Sequence, residues 1–143
     1  MNILLYLCRM EKENVTAALT AGMQHEESVV VDAAKTAAAY GSGDMDVFAT
    51  PAMIALMEQT CLKLAAGKLP VTHSTVGTSV DIKHIKATPL NGVVTCKAVL
   101  DKVEGPKLTF SVVATDEEGK IGFGIHKRFV VDKETFLTNI QKK

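Results

Sequence analysis

Asp46-Val47-Phe48-Ala49-Thr50-Pro51-Ala52-Met53-Ile54-Ala55-Leu56-Met57-Glu58-Gln59-Thr60-Cys61-Leu62-Lys63-Leu64-Ala65-Ala66-Gly67 is the stretch around which the remainder of the chain has to be arranged. Thr followed by Pro is a helix start. The Thr50 hydroxyl can cap, and Pro51 at the first helical position lacks an N–H that would be orphaned there anyway. Gly67 can adopt the left-handed conformation that ends a helix. Between these ends the residues are apolar almost all the way round, which predicts a helix enclosed on several sides. One carboxylate, Glu58, lies within it. Its neighbours three and four residues away are Ile54, Ala55, Cys61 and Leu62, and none can pair with it. A charge on such a face is costly unless it is hydrogen-bonded, paired or protonated. Glu58 is therefore either a site residue or one end of a structural pair made elsewhere.

Ahead of this helix, Asn14 to Met23 has a weak helical spacing, and Glu27-Ser28-Val29-Val30-Val31-Asp32 predicts a first strand from its β-branched run. Ala33 to Asp46 is small and polar; its composition suits a plain connector or a partial lid over a site. Beyond Leu69-Pro70 the hydrophobic period changes to two. Thr75 to Ile85 alternates, with Val76, Val80, Ile82 and His84 expected on one face and Gly77, Ser79, Asp81 and Lys83 on the other. After a turn at Thr88-Pro89-Leu90-Asn91-Gly92 come a strand from Val93 to Val103 and another from Lys107 to Thr115. A last one runs from Ile121 to Val131, with Ile121, Phe123, Ile125, Phe129 and Val131 expected on its apolar face. Asp132 to Lys143 predicts a short polar helix carrying Phe136 and Ile140. Short loops between long alternating strands imply an antiparallel meander. The economical assembly is an α+β domain, a strongly curved antiparallel sheet wrapped around the apolar helix. It forms a single domain over 1–143, with 1–13 as an extended start.

Composition narrows the function. The 143 residues carry 16 Lys+Arg against 16 Asp+Glu, a formal net charge of zero, which argues against nucleic acid or an anionic membrane as main partner. With no Trp and 5% aromatic residues, a base-stacking platform is not expected. Cys8, Cys61 and Cys96 are odd in number and lack metal-ligand spacing, so they are expected to be free thiols in a reducing, cytoplasmic setting, with no metal. Met1 to Arg9 is apolar but far shorter than the roughly 20 residues that span a bilayer. It also lacks the basic segment and cleavage site of a signal peptide.

The chemistry-bearing candidates are few. His84 is expected on an inward strand face, in step with Ile82 and Val80, where a histidine is either a satisfied core residue or a base sharing a dry site with Glu58. Thr50 adds a hydroxyl beside the free N–H groups of a helix N-terminus, which attract an oxyanion. Eight residues separate Thr50 from Glu58, about 12 Å along the helix axis. If both act on one substrate, it lies along the helix, or a second subunit brings part of the site. His126-Lys127-Arg128 alternates with Gly122 and Gly124 opposite the phenylalanines. Its two readings are an outer sheet face or an anchor for a substrate phosphate. Neither His25 nor His73 is assigned a role.

Val47-Phe48-Ala49-Thr50-Pro51, Leu56-Met57-Glu58, Val76-Gly77-Thr78, Asp81-Ile82-Lys83-His84 and Ala87-Thr88-Pro89 together resemble the fluoroacetyl-CoA thioesterase-like family of the hotdog-fold superfamily. Val103-Glu104-Gly105, Ile121-Gly122 and His126-Lys127-Arg128 continue the match, which covers most of the chain after Lys35. The resemblance implies a hotdog homodimer, and further pairing into a dimer of dimers stays open. It also implies hydrolysis of a short or medium acyl-CoA thioester at the subunit interface, with no cofactor beyond the CoA of the substrate. Thr50, Glu58 and His84 would take the catalytic positions, Gly77 would line the acyl pocket, and Arg128 would meet the substrate. Any of Thr50, Glu58 or His84 could supply the nucleophile. The segment between Lys35 and Thr50 is shorter than in the fluoroacetyl-CoA enzyme and lacks its aromatic-rich lid, which argues against fluoroacetyl-CoA as the substrate. Two other readings are an acyl-thioester hydratase or dehydratase and a non-catalytic acyl-CoA binder.

Overall fold

A computed structural model describes residues 14–142. The alternation after Leu69 forms four strands: β2 (His73–His84), β3 (Val93–Glu104), β4 (Lys107–Asp116) and β5 (Gly119–Asp132). With β1 (Gln24–Val30) they make one antiparallel sheet in the order β1-β3-β4-β5-β2. The first strand begins three residues earlier than its β-branched run suggests, because Gln24 to Glu27 pair with Val99 to Cys96. The connector holds a 3-10 turn at Ala33–Lys35 and a short helix, α1 (Ala37–Tyr40). The chain closes with α3 (Lys133–Gln141), capped by the Asp132 carboxylate accepting from the Thr135 N–H at 2.9 Å. Residues 1–13, and with them Cys8 and the apolar start, lie outside the described residues.

The long helix is α2 (Thr50–Ala66). It lays Ala52, Met53, Leu56, Met57, Thr60, Cys61, Leu64 and Ala65 on the inner face of the sheet, where Val94, Cys96, Ala98 and Leu100 of β3 and Leu108, Phe110, Val112 and Ala114 of β4 receive them. Truncating one of these large side chains would cost about 2–5 kcal/mol, since the close-packed interior cannot fully collapse around the void. Gly122 of β5 lets the helix approach, because a Cβ there would sit 2.5 Å from the Met53 sulfur.

Two expectations about this helix are corrected. Its enclosure is one-sided: Ala55, Gln59 and Lys63 are exposed, and Ile54, Glu58 and Leu62 are half-buried, because one five-stranded sheet covers only one flank. Its caps also differ. Ala49 is the N-cap, without a side-chain bond, and Gly67 continues in right-handed geometry at φ −65°.

Bulges correct the two face assignments. Between Gly77 and Ser79 the β2–β5 register shifts by one residue, so Thr78 has no partner. Cross-strand partners share a face, so Thr75, Gly77, Val80, Ile82 and His84 all look inward, while Val76 pairs with Phe129 on the outside. A second shift leaves Ile121 as the extra residue opposite Ala114 and Thr115. Ile121 and Gly122 are therefore both buried, and the alternation that follows is inverted from that expected. Phe123, Ile125 and Phe129 lie on the outer face, 37% to 41% exposed, whereas His126 and Arg128 point into the molecule.

Candidate active site

The inner face of β2 and β5 meets the half-buried side of α2, and the polar residues gather there in two places. The first is the N-terminus of α2. Thr50 is freed from capping because Ala49 holds that position. Its Oγ1 instead lies 2.8 Å from Nδ1 of His84, at the end of β2. Burial holds the His84 imidazole below its ordinary pKa. Its Nε2 is buried and has no hydrogen-bond partner among the described residues. An open cleft of about 360 Å³ borders the pair, lined by Ala37, Ser42, Phe48, Ile85 and Ala87.

The second place is two turns along α2. Glu58 does pair, but with β5: its Oε2 accepts from Nη1 of Arg128 at 3.3 Å. The Glu58 side chain is 42% exposed, which corrects the expectation that it sits in a dry site. Arg128 is the buried member at 5% exposure. It donates from Nε to Thr75 Oγ1 at 2.7 Å, from Nη2 to the Thr75 carbonyl at 2.9 Å and from Nη1 to His126 Nε2 at 3.0 Å. With its donors turned inward, Arg128 is placed as a partner for Glu58 rather than as a surface anchor for a phosphate. His126 is 1% exposed, and its Nδ1 donates to the Ser79 carbonyl at 2.8 Å. Its Nε2 is 3.9 Å from Glu58, too long for a hydrogen bond. Gly77 faces this cluster, and a Cβ there would stand 2.7 Å from Glu58 Oε2.

Of the five residues singled out in the sequence, the structure thus joins Thr50 with His84, and Glu58 with Arg128 and Gly77. Within one chain the two groups stay apart. The imidazole nearest Glu58 is His126, not His84. Gly77 and His84 pair with Arg128 and Gly122, so six strand steps separate them, about 20 Å at the rise of a β-strand. Thr75, which takes two of Arg128's hydrogen bonds, was not singled out; a threonine in an alternating strand carries no signal of its own. His126 was legible only as part of a polar run whose face depended on a bulge. Among the described residues no cluster of three metal-ligating side chains occurs, and no helix is long and apolar enough to cross a membrane.

Comparison with known proteins gives the family and the fold. Residues 31–134 match the family described as fluoroacetyl-CoA-specific thioesterase, FlK. The fluoroacetyl-CoA thioesterase of Streptantibioticus cattleyicolor is 38% identical over 98 residues, which is 68% of this chain and 70% of that protein. A solved structure of the fluoroacetyl-CoA thioesterase FlK superposes with a TM-score of 0.82 at 33% identity, covering 87% of this chain and 97% of the other. A hot-dog-like protein from Thermanaerovibrio acidaminovorans, 21% identical with a TM-score of 0.81 and coverage of 89% and 94%, shares the fold. The chain belongs to the fluoroacetyl-CoA-specific thioesterase family and has the hotdog fold.

Proposed function

We propose that the protein hydrolyses a short or medium acyl-CoA thioester to the free acid and CoA, in a site completed by two subunits. The observation that carries this reading is the Thr50–His84 pair beside an open cleft, with a buried Nε2 that has no partner among the described residues, on a chain of a thioesterase family. In the proposed reaction His84, held by Thr50, takes a proton from the attacking water. The oxyanion formed at the carbonyl carbon is met by the free N–H groups at the start of α2. Collapse breaks the C–S bond, and the CoA sulfur leaves with the proton. Glu58 orients the water, and Gly77 and Arg128 border the acyl group. No cofactor enters this scheme.

Two features support a homodimer. β2 is a sheet edge of 12 residues, and Gly77 to Asp81 along it are exposed. A long edge with unpaired backbone groups invites a second strand. The open flank of α2, with Ile54, Ala55 and Leu62, offers apolar surface beside it. Antiparallel pairing of two β2 strands about a two-fold axis carries the His84 end of one toward the Gly77 end of the other. The Thr50–His84 pair of one subunit then meets Glu58 of its partner. We place the enzyme in the cytoplasm, in keeping with the free, buried Cys61 and Cys96.

The test has two arms. Thiol release is measured over a panel of acyl-CoAs from C2 upward, and release from none of them overturns the activity. Glu58→Ala and His84→Ala chains are then mixed and refolded together. Each mixed dimer keeps one intact site, so about a quarter of wild-type activity returns. If the mixture stays as inactive as its components, the shared site is wrong.

A further inference from the structure

We propose that His126 is a positioning residue for this hydrolysis: its two ring nitrogens tie Arg128, and through it the Glu58 carboxylate, to the bulge of the edge strand β2. The kinetic part of this inference rests on the proposed function, whereas the tie itself does not.

The argument begins with donors and acceptors. The Ser79 carbonyl can only accept, so Nδ1 of His126, 2.8 Å away, carries a proton. Arginine can only donate, so Nε2, 3.0 Å from Nη1 of Arg128, presents its lone pair. The two partners together dictate one neutral tautomer. A second proton on the ring would face an arginine N–H with nothing to receive it. Burial lowers the pKa of His126, and the Arg128 charge lowers it further against the opposing pulls of the Ser79 carbonyl and Glu58.

The consequence falls on Glu58. Arg128 uses Nε and one hydrogen of Nη2 on Thr75 and divides the two hydrogens of Nη1 between His126 and Glu58. The ion pair is accordingly a single contact at 3.3 Å, not the two-point fork that a guanidinium and a carboxylate otherwise form. Only Oε2 is engaged among the described residues, which leaves Oε1 to accept from a water or a substrate. Without the His126 lone pair, both Nη1 hydrogens are free for Glu58, and the carboxylate is drawn from its place against Gly77.

The other nitrogen links this arrangement to the strand edge. Ser79 follows the unpaired Thr78, where the shift in register turns its carbonyl toward the ring. That bulge lies midway along β2 and is what places Gly77 and His84 on one face. One buried side chain therefore spans from the strand edge to the carboxylate.

The experiment pairs a spectrum with kinetics. The ¹⁵N imidazole spectrum of the wild-type protein at pH 6 is expected to show His126 neutral with the proton on Nδ1; a proton on Nε2, or a cation, overturns the tie. His126→Leu removes both contacts, whereas His126→Gln keeps one donor and one acceptor. We expect kcat for thiol release to fall about 10- to 100-fold in the Leu variant, with KM within about 2-fold, and to recover largely in Gln. A Leu variant with wild-type kcat, or a Gln variant as poor as Leu, overturns the positioning role. If His126→Leu does not fold, the spectrum and the Gln variant still decide. Wild-type protein that releases no thiol from any acyl-CoA sinks the proposed function, and the spectrum then still judges the tie.

Discussion

The two polar clusters along α2 differ in how completely they are satisfied. Around Arg128 four donor contacts reach Thr75, His126 and Glu58, and His126 uses both of its ring nitrogens. At the helix N-terminus Thr50 and His84 share one hydrogen bond, and His84 Nε2 has none among the described residues. Both groups sit on the same helix and face the same sheet. Buried Arg128 and His126 hold each other in place in a low-dielectric setting, and removing one leaves the other costly to bury, while Glu58 beside them keeps Oε1 open. An open valence beside a cleft is arranged to receive something. In the proposed mechanism the centre of the helix is the rigid reference and its N-terminus is where a proton moves.

The comparison is broken most directly at its open end. His84→Ala is expected to lower kcat/KM for thiol release by about 10²- to 10⁴-fold, the usual contribution of a positioned base. The melting temperature should stay close to wild type. A variant that keeps full activity would show that the open valence is not catalytic.

Next in size is a contrast in stability, measured by urea unfolding. Glu58→Ala leaves the buried Arg128 without a carboxylate and should cost about 1–2 kcal/mol, a figure moderated by the partial exposure of Glu58. Thr50→Ala, at an exposed position, should stay within about 0.5 kcal/mol. Equal costs at the two positions would erase the distinction between a closed and an open cluster.

Gly77→Ala sharpens the same comparison from the strand side. The new Cβ meets a flexible carboxylate rather than backbone, so Glu58 shifts and the fold survives. Activity should fall about 10-fold while stability changes by less than about 1 kcal/mol. A loss of folding without any change in specific activity would place Gly77 outside the site.

The smallest effect is that of pH on stability. Burial lowers the pKa of both His84 and His126 in the folded state, so the unfolded chain binds protons first. Their contribution is present above the ordinary histidine value of 6.5 and is lost as pH falls below it toward the lowered folded values. Urea midpoints at pH 7.5 and 5.5 should differ in that direction, with the lower midpoint at pH 5.5. Stability that rises on acidification contradicts the buried neutral state of both rings.

Some of this was legible along the chain and some was not. The helix from Thr50, the four strands after Leu69 and the closing helix follow from Thr-Pro, from alternation and from turn residues, all of them local signals. Thr50 and His84 could be named because a hydroxyl at a helix start and a histidine in step with Ile82 and Val80 are visible without tertiary structure. The sides taken by Val76, Phe123 and Arg128 were not visible, since a single bulge residue at Thr78 or Ile121 reverses every side chain beyond it. Large apolar residues on β5, Phe123, Ile125 and Phe129, give its outer face the pattern of an inner one. In the folded chain the inner face carries glycines, which make room for Met53, and polar residues, which serve Glu58.

By itself, then, the sequence determined the class of fold, the presence of one carboxylate on an otherwise apolar helix, and the family to which these residues belong. Periodicity and capping are properties of neighbours in the chain, and a motif is read in the same one dimension. Only the tertiary structure decided that Glu58 answers to Arg128 and His126 while His84 answers to Thr50. Those pairings depend on register across strands 34 to 70 residues away, and register is settled when side chains compete for the same buried space.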